Sequence, residues 1–245
     1  MGGGKGRHGL RGSGLRRGLN SNLFSPLSIV GLQLWLRADA GTFQDTGLTV
    51  PAVADGDPVG GWRDFSGNGN HATQATNRPT LKLAVQNNLN VLLFDSVNNG
   101  LLTSLSLVVP FTLMLVEKPP TIPGGSHRTI NSNTTNSLIS LARTNNSNAT
   151  DGGGNVSNFA VADTLGHVAS LIVPSTGASY FVDGTDRTTT SGTHNNWGTV
   201  SFGFTGSIVE SANTRVCEVL AFNVALTANQ RQQLEAYERA KWGTV

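Results

Sequence analysis

The sequence predicts an all-β sandwich of two antiparallel sheets, with one C-terminal helix and an extended N-terminal arm. Three observations carry that expectation. Charged residues make up only 13% of the 245-residue chain while Gly, Ser, Thr and Asn abound, a composition suited to short strands joined by turns. Eight strand-length segments alternate or run apolar. One segment has the start and stop signals of a helix. A β-rich domain of this length buries roughly 70% of its unfolded surface, so one domain is expected over residues 27–245, with an appendage over residues 1–26.

The appendage opens with MGGGKGRHGLRGSGLRRGLNSN, in which eight glycines accompany five of the 17 Lys and Arg and no acid occurs before Asp39. Subtracting those five leaves 12 basic against 15 acidic residues, so the formal charge of +2 becomes −3 and the basic balance is local. Glycine loses the most backbone entropy on ordering, and little apolar surface offsets that loss, so the arm needs a partner. Lys5, Arg7, Arg11, Arg16 and Arg17 suit either nucleic acid phosphates or an acidic protein surface. Leu10, Leu15 and Leu19, spaced as anchors, favour protein over nucleic acid. GKGRHG satisfies G-x-G-x-x-G through Gly4, Gly6 and Gly9, but no strand precedes it and no βαβ unit follows, so it is not read as a dinucleotide site.

In the body, LQLWLRAD (32–39) alternates Leu32, Leu34 and Leu36 against Gln33, Trp35 and Arg37, the pattern of a strand with one face inward. Strands are likewise expected at 91–94, 111–117, 136–142, 167–173, 179–184, 200–204 and 215–222, a number and spacing that fit a sandwich. Asp183-Gly184 reads as a tight hairpin turn. Thr227 and Gln230 form a capping-box pattern, Leu234 and Tyr237 share a helix face, and Gly243 can end the helix, which is expected to pack across an edge or end of a sheet.

A single cysteine, Cys217, rules out an internal disulfide and suits a reducing cytoplasm; within an apolar strand it reads as a small buried hydrophobe. No signal-like apolar run precedes Leu27, and no segment approaches the roughly 20 apolar residues of a membrane span. The Asn-x-Ser/Thr matches at Asn133, Asn145, Asn148 and Asn155 are read as a by-product of a polar region.

Five phrases, LQLWLRADAG, GWRDFSGNGNHATQATNRPTL, FDSVNNGLLTSLSLVVPFTLMLVEKP, ASYFVDG and VCEVLAFNVALTANQRQQLEAYERAKWG, occur in an order that resembles laminin-G-like, concanavalin A-like modules, many of them in phage and bacterial surface proteins. The resemblance spans residues 31–243. It implies a jelly-roll sandwich of two curved sheets, and no single activity, since such modules serve as lectins, glycosidases, adhesion modules and architectural domains.

Candidate sites are sparse. Glycosidases of this fold carry alternating acids on one strand, and here Asp55/Asp57, Asp183/Asp186 and Glu235/Glu238 fall on turns or the helix, so no catalytic residue and no enzyme activity is expected. Motifs of serine hydrolases, zinc peptidases and phosphate-binding loops are absent, and the five histidines show no metal-ligand spacing. No cofactor is expected. Asp64, Asn68 and Asn70 are weak calcium candidates, although Gly67 and Gly69 among them already read as turn residues, which makes the WRDFSGNGNHATQ stretch a structural turn. Trp197 beside His194, Asn195 and Asn196 is the candidate glycan platform, with coverage of a sheet end or a subunit contact as its alternatives. The leading functional expectation is a non-enzymatic virion protein of a tailed phage, assembled in the host cytoplasm. It would decorate the capsid or belong to a tail or neck, in several copies clasped to neighbouring subunits through the arm, without membrane. The alternative is a lectin-like module for host-surface attachment.

Overall fold

The computed structural model describes residues 1–2, 24–95, 99–119, 128–132, 137–141, 149–150, 154–190, 195–203 and 213–245. Lys5, Arg7, Leu10, Arg11, Leu15, Arg16, Arg17 and Leu19 of the expected arm lie outside the described residues.

A 3₁₀ turn at Pro26–Ser28, capped by Ser25, leads into the body. In chain order the strands are β1 (Leu32–Arg37), β2 (Thr42–Phe43), β3 (Gly61–Trp62), β4 (Ala72–Thr73), β5 (Thr80–Gln86) and β6 (Leu89–Asp95). There follow β7 (Gly100–Leu107), β8 (Phe111–Lys118), β9 (Ile130–Ser132), β10 (Leu138–Ile139), β11 (Ala149–Thr150) and β12 (Asn155–Ser157). The last are β13 (His167–Val173), β14 (Ser179–Val182), β15 (Thr185–Asp186), β16 (Trp197–Gly203) and β17 (Asn213–Phe222), before helix α1 (Ala228–Trp242).

These strands form two antiparallel sheets, as expected. The first runs β15-β14-β13-β8-β17-β6-β5, and the second β12-β11-β10-β9-β16-β7-β4-β3-β2. On one side of β17, β6 pairs residues 213–216 and β1 pairs the stretch from Glu218 to Phe222. The inner faces meet over Leu34, Leu36, Phe94, Leu113, Leu115 and Val219 from the first sheet and Trp62, Leu101, Ile130 and Phe202 from the second. Trp62 and Phe202 pack edge to face at 5.8 Å between ring centres, a geometry that adds to the area they remove from water.

β8 is buried on both faces, because Met114 and Val116 turn outward under α1 while Phe111, Leu113 and Leu115 face the sandwich. The helix therefore does not cross a sheet edge or end as the sequence suggested. It covers the outer face of the first sheet, laying Leu234 and Trp242 against Trp35, Val91, Val168, Cys217 and Leu220. A register shift between Val216 and Glu218 explains how the consecutive residues Cys217 and Glu218 both serve that face, Glu218 bonding Trp242, for the extra residue of a bulge breaks the alternation.

Local signals act as the sequence indicated at the helix ends: the Thr227 hydroxyl and the Gln230 side chain cap each other's backbone, and Gly243 closes α1 at φ 61°. Asp183 and Gly184 take φ of 52° and 79° between β14 and β15, the left-handed pair of a tight hairpin. The strand β5 was not anticipated; it breaks at Ala84, where φ is 52° and the pairing with β6 slips.

Candidate functional site

The stretch around Asp64 is a hub between β1 and the β3–β4 connection. Asp64 is buried, and its Oδ1 accepts from the backbone N–H of Trp35 (2.9 Å) and Ser66 (2.8 Å). Its Oδ2 accepts from the Ser66 hydroxyl (2.8 Å) and Asn70 N–H (2.9 Å). Asn68 and Asn70 turn their amide nitrogens onto β1, donating to the carbonyls of Leu32 and Gln33 at 2.9 Å each. All three weak calcium candidates are thus spent on holding a loop whose glycines, Gly67 and Gly69, sit at positive φ. Among the described residues, no group of three or more His, Cys, Asp or Glu is placed to hold a metal ion.

Trp197 is the first residue of β16 and is 1% exposed, packed edge to face on Phe111 at 5.7 Å. A ring so enclosed cannot stack on a sugar, so the expected glycan platform is corrected to a core residue. Asn195 and Asn196 are exposed, and Asn196 Oδ1 accepts from Val109 N–H at 3.0 Å; His194 lies outside the described residues. The polar neighbours in the sequence concealed an inward-facing strand position.

Two other polar groups are more enclosed than their letters suggest. His167 is buried at the start of β13, with Nδ1 2.7 Å from Asp183 Oδ2 and Nε2 2.8 Å from Asp163 Oδ1. Burial alone would lower its pKa, but hydrogen bonds to the two carboxylates prevail and raise it. Glu235 and Glu238, which the sequence left on an open helix, face the first sheet; burial beside Glu218 pushes the Glu238 carboxyl well up. Cys217 is buried as expected, and its thiol is likewise pushed up by burial.

An open polar cleft of about 240 Å³ lies at the β2–β3–β4 edge of the second sheet, lined by Gln44, Asp45, Thr46, Gln74, Ala75 and Arg78. Backbone bonds set its walls. Gly60 N–H donates to Phe43 O (2.9 Å), and Gln74 N–H donates to Gly60 O (2.9 Å). The Arg78 Nη1 reaches Gln44 O at 2.8 Å, and Asn99 ties the Arg78 carbonyl to the start of β7. Gly60 bonds to both segments, and a Cβ there would sit 2.6 Å from Gln44 O and 3.1 Å from Gln74 O. These residues come from segments remote in sequence and carry no motif, so the sequence signalled them only through the glycine pair preceding Trp62. A second, apolar groove of about 400 Å³ lies on α1 between Phe24, Tyr237 and Ala240.

No protein-family model matches the chain, and no curated protein matches it. Solved structures do. A Trypanosoma rangeli sialidase in complex with sialic acid superposes with a TM-score of 0.55 at 14% identity, over 84% of this chain and 33% of the sialidase. The binding domain of Paraclostridial Mosquitocidal Protein 1 gives 0.54 at 12% identity, over 84% of this chain and 52% of that one. The botulinum neurotoxin serotype D binding domain gives 0.53 at 12% identity, over 87% and 55%. The chain thus spans about a third of the sialidase and about half of each toxin domain, and what these likenesses establish is a shared β-sandwich fold.

Proposed function

We propose that this chain is a non-catalytic, lectin-like carbohydrate-binding module. The observation that carries the reading is the cleft beside Gly60: an open site with two amides, a hydroxyl, a carboxylate and a guanidinium, held by backbone bonds at a sheet edge. Sugar hydroxyls need donors and acceptors fixed in this way, so that little is lost in ordering the site on binding. Its volume falls below the roughly 300–1,000 Å³ of sites that engulf a drug-sized ligand, which suits one sugar ring.

The likenesses favour the same reading: one of the sandwiches belongs to a sialidase solved with sialic acid, and two are toxin binding domains. They lend the virion expectation no support, and the arm on which it rested lies outside the described residues. A non-catalytic role fits the cleft, since its one carboxylate, Asp45, is already bound by Thr49 and Val50 and the pair of acids used in glycoside hydrolysis is not assembled there. The test is a glycan array probed with the full chain. Saturable binding to a defined glycan subset supports the module, and silence across neutral and acidic glycans overturns it.

A further inference from the structure

We infer that the cleft receives the anionic group, carboxylate or sulfate, of an acidic saccharide, with Arg78 as its main donor. This narrows the ligand class of the proposed module and rests on that reading.

The balance of hydrogen-bonding groups points to it. Asp45 is committed: Oδ1 accepts from Thr49 N–H (3.0 Å) and Val50 N–H (2.7 Å), while Oδ2 accepts from the Thr49 hydroxyl (2.8 Å) and again from Thr49 N–H (3.3 Å). A carboxylate offers roughly four lone-pair sites, and these three donors, one of them shared between both oxygens, leave it little to offer a ligand hydroxyl. Gln74 Oε1 accepts from Ala75 N–H at 3.0 Å.

Gln44 Nε2 is likewise engaged, with Pro51 O and Asp57 Oδ2 at 3.3 and 3.4 Å, but the other donors are in the opposite state. Arg78 uses Nη1 alone, on Gln44 O. Among the described residues its Nε and Nη2 have no partner, and neither has Gln74 Nε2. The cleft therefore holds a surplus of donors. A neutral sugar brings hydroxyls that donate as well as accept, and would leave that surplus partly unmatched, whereas a carboxylate or sulfate only accepts. The guanidinium is a planar fork that fits either oxyanion with two parallel bonds.

Asp45 opposes an anion through its charge. That charge is only partly buried and already spread over bonds to Thr49 and Val50, so solvent and these donors screen it, while Arg78 would touch the ligand. Gly60 lets the segments carrying Gln44, Gln74 and Arg78 come together, because a side chain there would collide with the Gln44 and Gln74 carbonyls and crowd the Arg78 stem.

The experiment titrates the full chain, by calorimetry or protein NMR, with galactose, galacturonic acid and galactose 6-sulfate, which share one ring and differ at one substituent. One or both anionic sugars should bind about ten-fold tighter than galactose, as a charge-assisted pair does over a neutral one. Which of the two binds tighter identifies carboxylate or sulfate as the group received. In Arg78→Gln the preference should fall to within about two-fold, and Arg78→Lys should keep part of it through its charge without the fork. Thermal melts check folding; should Arg78→Gln unfold, Gln74→Ala at the half-buried rim replaces it and should weaken the anionic preference about three-fold.

Equal affinity for galactose and both anions overturns the inference and leaves the glycan module standing. A preference unchanged by every variant overturns the placement in this cleft. No binding to the three sugars, with a positive array confined to neutral glycans, overturns the ligand class, whereas a wholly silent array overturns the module itself.

Discussion

Trp242 Nε1 donates to Glu218 Oε2 at 2.7 Å, so the last turn of α1 is tied to the central strand β17 through a carboxylate with no exposed surface. Trp35 Nε1 binds the other oxygen, and Lys241 Nζ supplies the neutralising charge while also meeting Asp39 at 3.0 Å. Replacing Glu218 by Gln puts an N–H₂ against at least one of these donors and leaves Lys241 short of charge in a partly buried place. Breaking such a pair costs about 3–5 kcal/mol, and chemical denaturation of Glu218→Gln should show a loss of that size. A change below about 1 kcal/mol would mean that α1 is held by Leu234 and its apolar neighbours alone.

His167 predicts an alkaline weakening. Its folded pKa is raised above 6.5 by Asp163 and Asp183, so its contribution is complete below the unfolded value and is lost as pH rises through the folded one. Asp163 is lowered from 3.8 by the same contact, so its share is present above 3.8 and lost as pH falls through its folded value. The wild-type Tm should therefore decline from pH 6 to pH 9, and His167→Asn should flatten that decline. Identical pH profiles for the two proteins would refute the bridge.

Asp64 should behave as a structural residue. Truncation to Ala orphans the N–H groups of Trp35, Ser66 and Asn70, at about 1–3 kcal/mol for a buried group left unpaired, so Asp64→Ala should lower stability by about 3 kcal/mol or more. Calcium and EDTA should leave the wild-type Tm where it was, and a calcium-dependent rise abolished by Asp64→Ala would restore the metal reading.

Trp197→Ala should cost about 3–5 kcal/mol by opening a cavity against Phe111, without changing the glycan affinity of the folded fraction. A variant of full stability that has lost binding would return Trp197 to the role of platform.

The sequence made much of this fold legible. β1, β8, β13 and β17 follow their apolar patterns, Asp183-Gly184 makes its turn, and the Thr227, Gln230 and Gly243 caps bound the helix. These are local rules, each settled within a few residues. What escaped depends on contacts between distant segments. Trp197 lay among polar letters, and only its pairing with Leu107 on β7 shows that it turns inward. Glu235 and Glu238 look like solvent-facing acids until the first sheet is placed beneath them. The cleft was invisible for the same reason: Gln44, Gln74 and Arg78 meet through backbone bonds that no motif encodes.

The margins of the first sheet carry a last implication. On one side β15 is two exposed residues long and includes Asp186; on the other, β5 is broken at Ala84 and carries Lys82, bonded to Asp55 at 3.1 Å. Neither of these two borders offers a straight row of unpaired peptide groups onto which another copy could add a strand, the usual beginning of fibrils and precipitates, so β15 and β5 are poor templates for self-stacking whatever the protein binds.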